Sequence, residues 1–227
     1  MSNGSQAIAR FRTLVPLALT LVAVLCTCLR GAENESRIFF SKSFPGSVPA
    51  YFEVSLSASG QASYREAPDE ADPLTFKLRP EEAAEIFGLA EKLEYFKKPV
   101  GSTKKVAFTG EKTLRFESSA GEHQELKFSF SEDLDAKALV GWFERIALTE
   151  RHLIDLERTA QFDRLGVNKS LLLFQSSFDE GRTVAVQQFL PVLQKIAEGS
   201  KYVHVARSRA ASLVERIEGA TQGQPER

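Results

Sequence analysis

Apolar and polar side chains alternate along the chain from Arg37 to Ser131. Phe52, Val54 and Leu56 interleave with Glu53, Ser55 and Ser57, and Leu126, Phe128 and Phe130 interleave with Lys127, Ser129 and Ser131. A period of two sends one set of side chains to a core and the other to solvent, so these segments are half-buried strands. Ser59-Gly60 separates residues 50–57 from 62–66, and Ala120-Gly121 separates 113–118 from 124–131, a pattern that predicts two hairpins. Leu74–Lys77 and residues 105–108 supply further short strands. Between them Pro80 opens a helix at its first turn, where the missing N–H costs nothing, and Ala83, Ile86, Phe87, Ala90 and Leu93 recur at helical spacing.

After Asp133 the period becomes helical. Leu139, Trp142, Phe143, Ile146, Leu153, Leu156 and Ala160 form one stripe of a helix over residues 133–159, roughly 40 Å long at 1.5 Å per residue. Such a length can bridge two halves of a molecule. Asn168 reads as the N-cap of a second helix that runs through Phe178 and ends at Gly181. Two more follow, one carrying Phe189, Leu190, Leu193, Ile196 and Ala197, the other Ala206, Ala210, Leu213, Val214 and Ile217. The expected fold class is α+β: a small antiparallel sheet with one packed helix over residues 37–131, then an all-helical region over 132–219. Residues 220–227 are expected to be a disordered tail.

Ahead of this body, Arg10 and Arg12 precede an apolar run from Thr13 to Leu29, followed by polar Arg30-Gly31-Ala32-Glu33-Asn34-Glu35. A basic flank before an apolar stretch is the pattern of an export signal. Residues 1–32 are therefore read as a signal peptide or membrane anchor, and the body as exported, periplasmic or secreted. Three fates are open to the segment. A cleaved signal needs small residues at its cut site, and a cut after Ala32 places Arg30 at the third position before it. A retained anchor through residues 13–29 is somewhat short of the about 20 apolar residues that span a bilayer, and it contains Pro16. A lipoprotein would carry its lipid on Cys26 or Cys28, which follow Leu25 and Thr27.

Both cysteines lie in that segment, so thiolate catalysis, thiolate metal sites and disulfides are excluded from the rest of the chain. Residues 1–28 hold two of the 29 basic residues and none of the 30 acidic ones, leaving a nearly neutral body with no bulk attraction for nucleic acid. Contact with membrane is expected only through the N-terminal segment.

The final helix pair carries Leu190-Pro-x-Leu-x-x-Ile-Ala on its first helix and Arg207-x-x-Ala-x-x-x-x-x-x-Ile217 on its second, and resembles a single HEAT-type hairpin over about thirty residues. The resemblance implies a packed helix pair and a protein-binding surface. The strand half has Ser59-Gly60-Gln61-Ala62-Ser63-Tyr64 in a hairpin, Leu78-Arg79-Pro80-Glu81-Glu82 opening a helix, and Leu93-Glu94-Tyr95-Phe96 ending it. It resembles domains of unknown function found in exported bacterial proteins. Arg79 stands where those domains usually place Ser or Thr before the helix proline, and the resemblance implies no chemistry.

No catalytic constellation stands out. His123, His152 and His204 are isolated; His152 with Asp155 at i+3 makes at most a two-ligand fragment. No Gly-x-Ser-x-Gly elbow occurs. Gly110-Glu111-Lys112-Thr113 imitates the end of a phosphate loop, but Glu111 separates glycine from lysine and a strand follows instead of a helix. Asp69, Glu70 and Asp72 crowd one loop without EF-hand spacing, which reads as a solvated loop. Lys97, Lys98, Lys104 and Lys105 read as ordinary loop charges. No metal and no cofactor are expected, and the reading leans away from an enzyme. The body is expected to be an envelope-associated interaction or structural module with an envelope protein as partner, with Arg207, Ser208 and Arg209 as contact residues. The alternative is a small-ligand binder or hydrolytic enzyme with a site between the two halves.

Overall fold

The computed structural model describes residues 35–222. The N-terminal segment expected to be a signal peptide or anchor, with Cys26 and Cys28, and the last five residues lie outside the described residues.

Six antiparallel strands form one sheet: β1 (Arg37–Ser43), β2 (Tyr51–Ser57), β3 (Gln61–Arg65), β4 (Leu74–Lys77), β5 (Glu111–Glu117) and β6 (His123–Phe128), in the order β4-β3-β2-β1-β5-β6. The α+β expectation holds, and both predicted hairpins are present as β2-β3 and β5-β6. The first turn needs glycine. Gly60 has φ +87°, and a Cβ there would sit 2.9 Å from the Leu78 carbonyl oxygen, while Leu78 N–H donates to Gly60 O at 2.9 Å.

The alternation works as expected on both faces. Ile38, Phe40, Val54, Leu56, Leu114 and Phe116 point into the core. The opposite face is polar, with a Ser55–Ser63 hydrogen bond and the Arg115 guanidinium 4.0 Å from the Phe39 ring centre. Residues 105–108 do not form the predicted strand. Phe108 and Val106 are both exposed, and the Phe108 ring meets Phe44 edge-on at 5.9 Å, so the larger apolar side chains of this short run have no second layer to bury them.

Helix α1 (Pro80–Lys92) covers the apolar face through Ala83, Ile86, Leu89 and Ala90. Its entry manages without Ser or Thr: Glu82 reaches back to accept the Arg79 backbone N–H at 3.0 Å, and the Arg79 guanidinium closes on the same carboxylate at 2.9 Å. Helix α2 (Leu134–Phe162) starts at the Asp133 cap, whose carboxylate accepts from Ala136 N–H at 2.9 Å. Its first half lies on the sheet, where Phe143 stacks on Phe40 at 4.9 Å and Trp142 donates to Glu85 of α1 at 3.1 Å. Its second half belongs to another core, formed with α3 (Val167–Asp179), α4 (Leu190–Glu198) and α5 (His204–Gln222). Leu153, Leu156, Phe174, Phe189, Leu193 and Ile217 fill it, with Phe174 and Phe189 stacked at 3.9 Å.

Two helix ends differ from expectation. Asn168 lies inside α3 rather than at its cap: Asp163 accepts the Gly166 N–H at 3.0 Å, which moves the helix start upstream, and Asn168 instead faces Arg209. The last helix also continues through Gln222, beyond the expected break at Gly219.

Candidate functional site

The register places one row of side chains across the sheet: Phe52 on β2, Lys42 on β1, Lys112 on β5 and Phe128 on β6. Paired residues share a face, so both lysines project toward the side that α2 covers. Like charges directly opposite one another destabilise a ladder, and here they do so at the margin of an apolar core. The helix contributes one compensating charge, with Glu144 accepting from Lys42 Nζ at 2.7 Å.

Lys112 is treated differently. It is 7 % exposed, and its Nζ donates to Ser129 O at 2.7 Å, Thr109 Oγ1 at 3.1 Å and Thr109 O at 3.3 Å. All three acceptors are neutral. Burial pushes its pKa down, the Lys42 charge pushes the same way, and Glu144 opposes them. Among the described residues no carboxylate lies within ion-pair distance of Lys112.

These groups line a pocket of about 280 Å³ between β1, β5, β6 and the first turns of α2. Lys137 adds a third cation, 5.7 Å from the Phe130 ring centre, and Phe128, Phe130 and Val140 supply an apolar wall. Three ammonium groups against one carboxylate make the pocket cationic, and a negatively charged guest with a small apolar body matches both its charge and its walls. With φ +92°, Gly110 would set a Cβ 3.0 Å from Phe44 Cβ and 3.1 Å from Ser43 O, so only glycine fits beside the Lys42 stem.

Sequence reasoning met Lys112 as part of a phosphate-loop imitation and set it aside because a strand follows. The strand is there, and it is what aims Lys112 into the pocket. Lys42 was not singled out. Its signal was present: Ile38, Phe40 and Lys42 occupy successive inward positions, so the lysine falls on the apolar face.

A second polar cluster lies where α2 passes from one core to the next. Thr149 Oγ1 accepts the Val184 N–H at 3.1 Å, and Glu150, wholly buried, accepts from Gln188 Nε2 at 2.8 Å through Oε1 while its Oε2 has no hydrogen-bond partner. Burial, opposed by the Gln188 bond and aided by Glu157, raises the Glu150 carboxyl to about 7. Two residues further along, His152 Nε2 meets Ser177 Oγ at 2.9 Å, and burial lowers its pKa. His152 thus packs α2 against α3, while Asp155 pairs with Arg158 of its own helix at 3.0 Å.

The three expected contact residues do not share a face, because successive positions turn by 100° about a helix. Ser208 is exposed. Arg209 is half-buried and donates to Asn168 Oδ1 at 3.3 Å and to Gln175 Oε1; Arg207 is half-buried with its Nε enclosed. Lys104 pairs with Glu132 at 2.6 Å, whereas Lys97, Lys98 and Lys105 are exposed. Among the described residues no group of three His, Cys, Asp or Glu side chains is placed to hold a metal, and no helix is long and apolar enough to cross a membrane. Compared with protein-family models and with curated proteins, the chain matches none.

Proposed function

We propose that this protein is an exported, envelope-associated binding module whose body takes up a small anionic ligand between the sheet and the start of α2. The observation that carries the reading is the register pair Lys42–Lys112, two cations on the covered face of the sheet with one carboxylate, Glu144, which pairs with Lys42. A core margin tolerates such a pair at a cost in stability, and local departures from good packing concentrate at functional positions. Export rests on the arginine-flanked apolar run at the N-terminus. Interaction through Arg207, Ser208 and Arg209 has less support, since Arg209 is engaged within the protein.

Thermal melting against a panel of small carboxylates and phosphates tests the reading. A ligand at one hundred times its dissociation constant stabilises by about 2.7 kcal/mol, a rise of several degrees for a domain of this size. The rise is expected with wild-type protein and is lost in Lys42→Gln and Lys112→Met. No rise with any anion, or an equal rise in both variants, removes the pocket as the site.

A further inference from the structure

Lys112 is the buried cation in this pocket that lacks a counter-charge. Lys42 has Glu144, and Lys137 stands in solvent over an aromatic ring, but Lys112 is enclosed and solvated by neutral oxygens alone. A lysine becomes a nucleophile when it gives up its proton, and desolvation beside a second cation favours that loss. A neutral amine retains two N–H bonds. It can keep Ser129 O and one Thr109 oxygen, and the lone pair replaces the third bond. The two Thr109 contacts are the longer ones and come from an exposed loop residue, so one of them is the bond most readily given up.

We infer that Lys112 is a reactive amine, set opposite Lys42 on the ladder to form an imine with a small carbonyl compound that also bears a carboxylate, such as an aldehyde acid or keto acid. The inference rests on the anion-binding reading only for its carboxylate half: Lys42 or Lys137 would meet the carboxylate while Lys112 meets the carbonyl. In the step, the nitrogen lone pair attacks the carbonyl carbon and a C–N bond forms. The carbonyl oxygen takes up a proton as nitrogen loses one, giving a carbinolamine. The hydroxyl then takes up a proton and leaves as water while nitrogen gives up its second proton, so that no net proton is gained or lost and C=N remains. No oxidant or reductant is consumed.

The purified full-length chain is incubated near pH 7 with glyoxylate or, in parallel, with acetaldehyde. Cyanoborohydride is present to deliver hydride to the imine carbon and fix it as a secondary amine, and peptide mass spectrometry maps the modified lysines. Lys112 is expected to be modified by glyoxylate several-fold faster than the exposed Lys97, Lys98 and Lys195, and by acetaldehyde with a smaller lead. In Lys42→Gln, which removes the opposing cation and releases Glu144 toward Lys112, the lead is expected to collapse; an unchanged lead removes Lys42 from the explanation. An equal lead with both aldehydes overturns the carboxylate half and, with it, the anion-binding reading, while the amine stands. Labelling of wild-type Lys112 no faster than the exposed lysines with either aldehyde overturns the inference and leaves anion binding to the melting experiment.

Discussion

Glu150 and His152 sit two residues apart on α2 and respond to pH in opposite senses. The Glu150 carboxyl, raised to about 7 by burial, keeps its proton in the folded state after the unfolded chain has lost it. Its contribution is complete below the ordinary carboxylate range, falls as pH rises from about 4.5 to about 7, and is constant above that, a loss on the order of 3 kcal/mol. His152, with its pKa lowered by burial, contributes stability above its ordinary value of about 6.5 and loses it as pH falls through the depressed folded value. In Glu150→Gln the amide keeps the acceptor for Gln188 and cannot ionise. The variant should match wild type in urea unfolding near pH 4 and exceed it by about 2–3 kcal/mol at pH 8. His152 is common to both proteins and cancels from the difference. Glu157 on α2 raises this carboxyl further, and Tyr64 from β3, which also feels its charge, does not neutralise it. A wild-type advantage at pH 8 would mean that Glu150 is ionised and satisfied.

Between elements, polar side chains fix how α5 lies on α3. Arg209→Ala removes bonds to Asn168 and Gln175 and is expected to cost about 1–2 kcal/mol, lowering the melting temperature by a few degrees. Ser208→Ala, on the exposed side of the same helix, is expected to leave it unchanged. Equal melting temperatures for both variants would show that the guanidinium does not hold the pair together. Strand and helix identities were legible because burial enforces their periods: Phe52-Val54-Leu56 and Ile146-Leu153-Leu156 are read without knowing any partner. The pocket was not legible in the same way. It depends on β1 lying beside β5, a pairing between residues about seventy apart that no local pattern encodes, and Lys42 and Lys112 become neighbours only through that register. Residues 105–108 failed for the converse reason. The local alternation was present, but no layer lay over them.

At the scale of the whole molecule, α2 is a member of two cores. Ala136 to Ala147 pack with the sheet and Leu153 to Ala160 with the other helices, and the segment after α3 returns Val184 and Ala185 to the first core. Two cores sharing one continuous helix and a buried Thr149–Val184 hydrogen bond should unfold together. The single tryptophan, Trp142, reports the sheet core, while far-UV circular dichroism is dominated by the helices. Their denaturation midpoints are expected to coincide. Separate midpoints would show that the helical region melts on its own.

The position of β1 has a consequence for how the chain acquires its shape. It is the first strand among the described residues and one of the two central ones in the sheet, flanked by β2 on one side and by β5 on the other, with Arg37 opposite Ser57 and Glu117. A polypeptide that emerges N-terminus first therefore offers a central strand with one edge unfilled until residue 117 has followed. Through that interval the sheet is incomplete and α2, the roof of the pocket, does not yet exist. The order of the strands thus delays closure of the sheet until about half of the chain is available, which would suit the export proposed above.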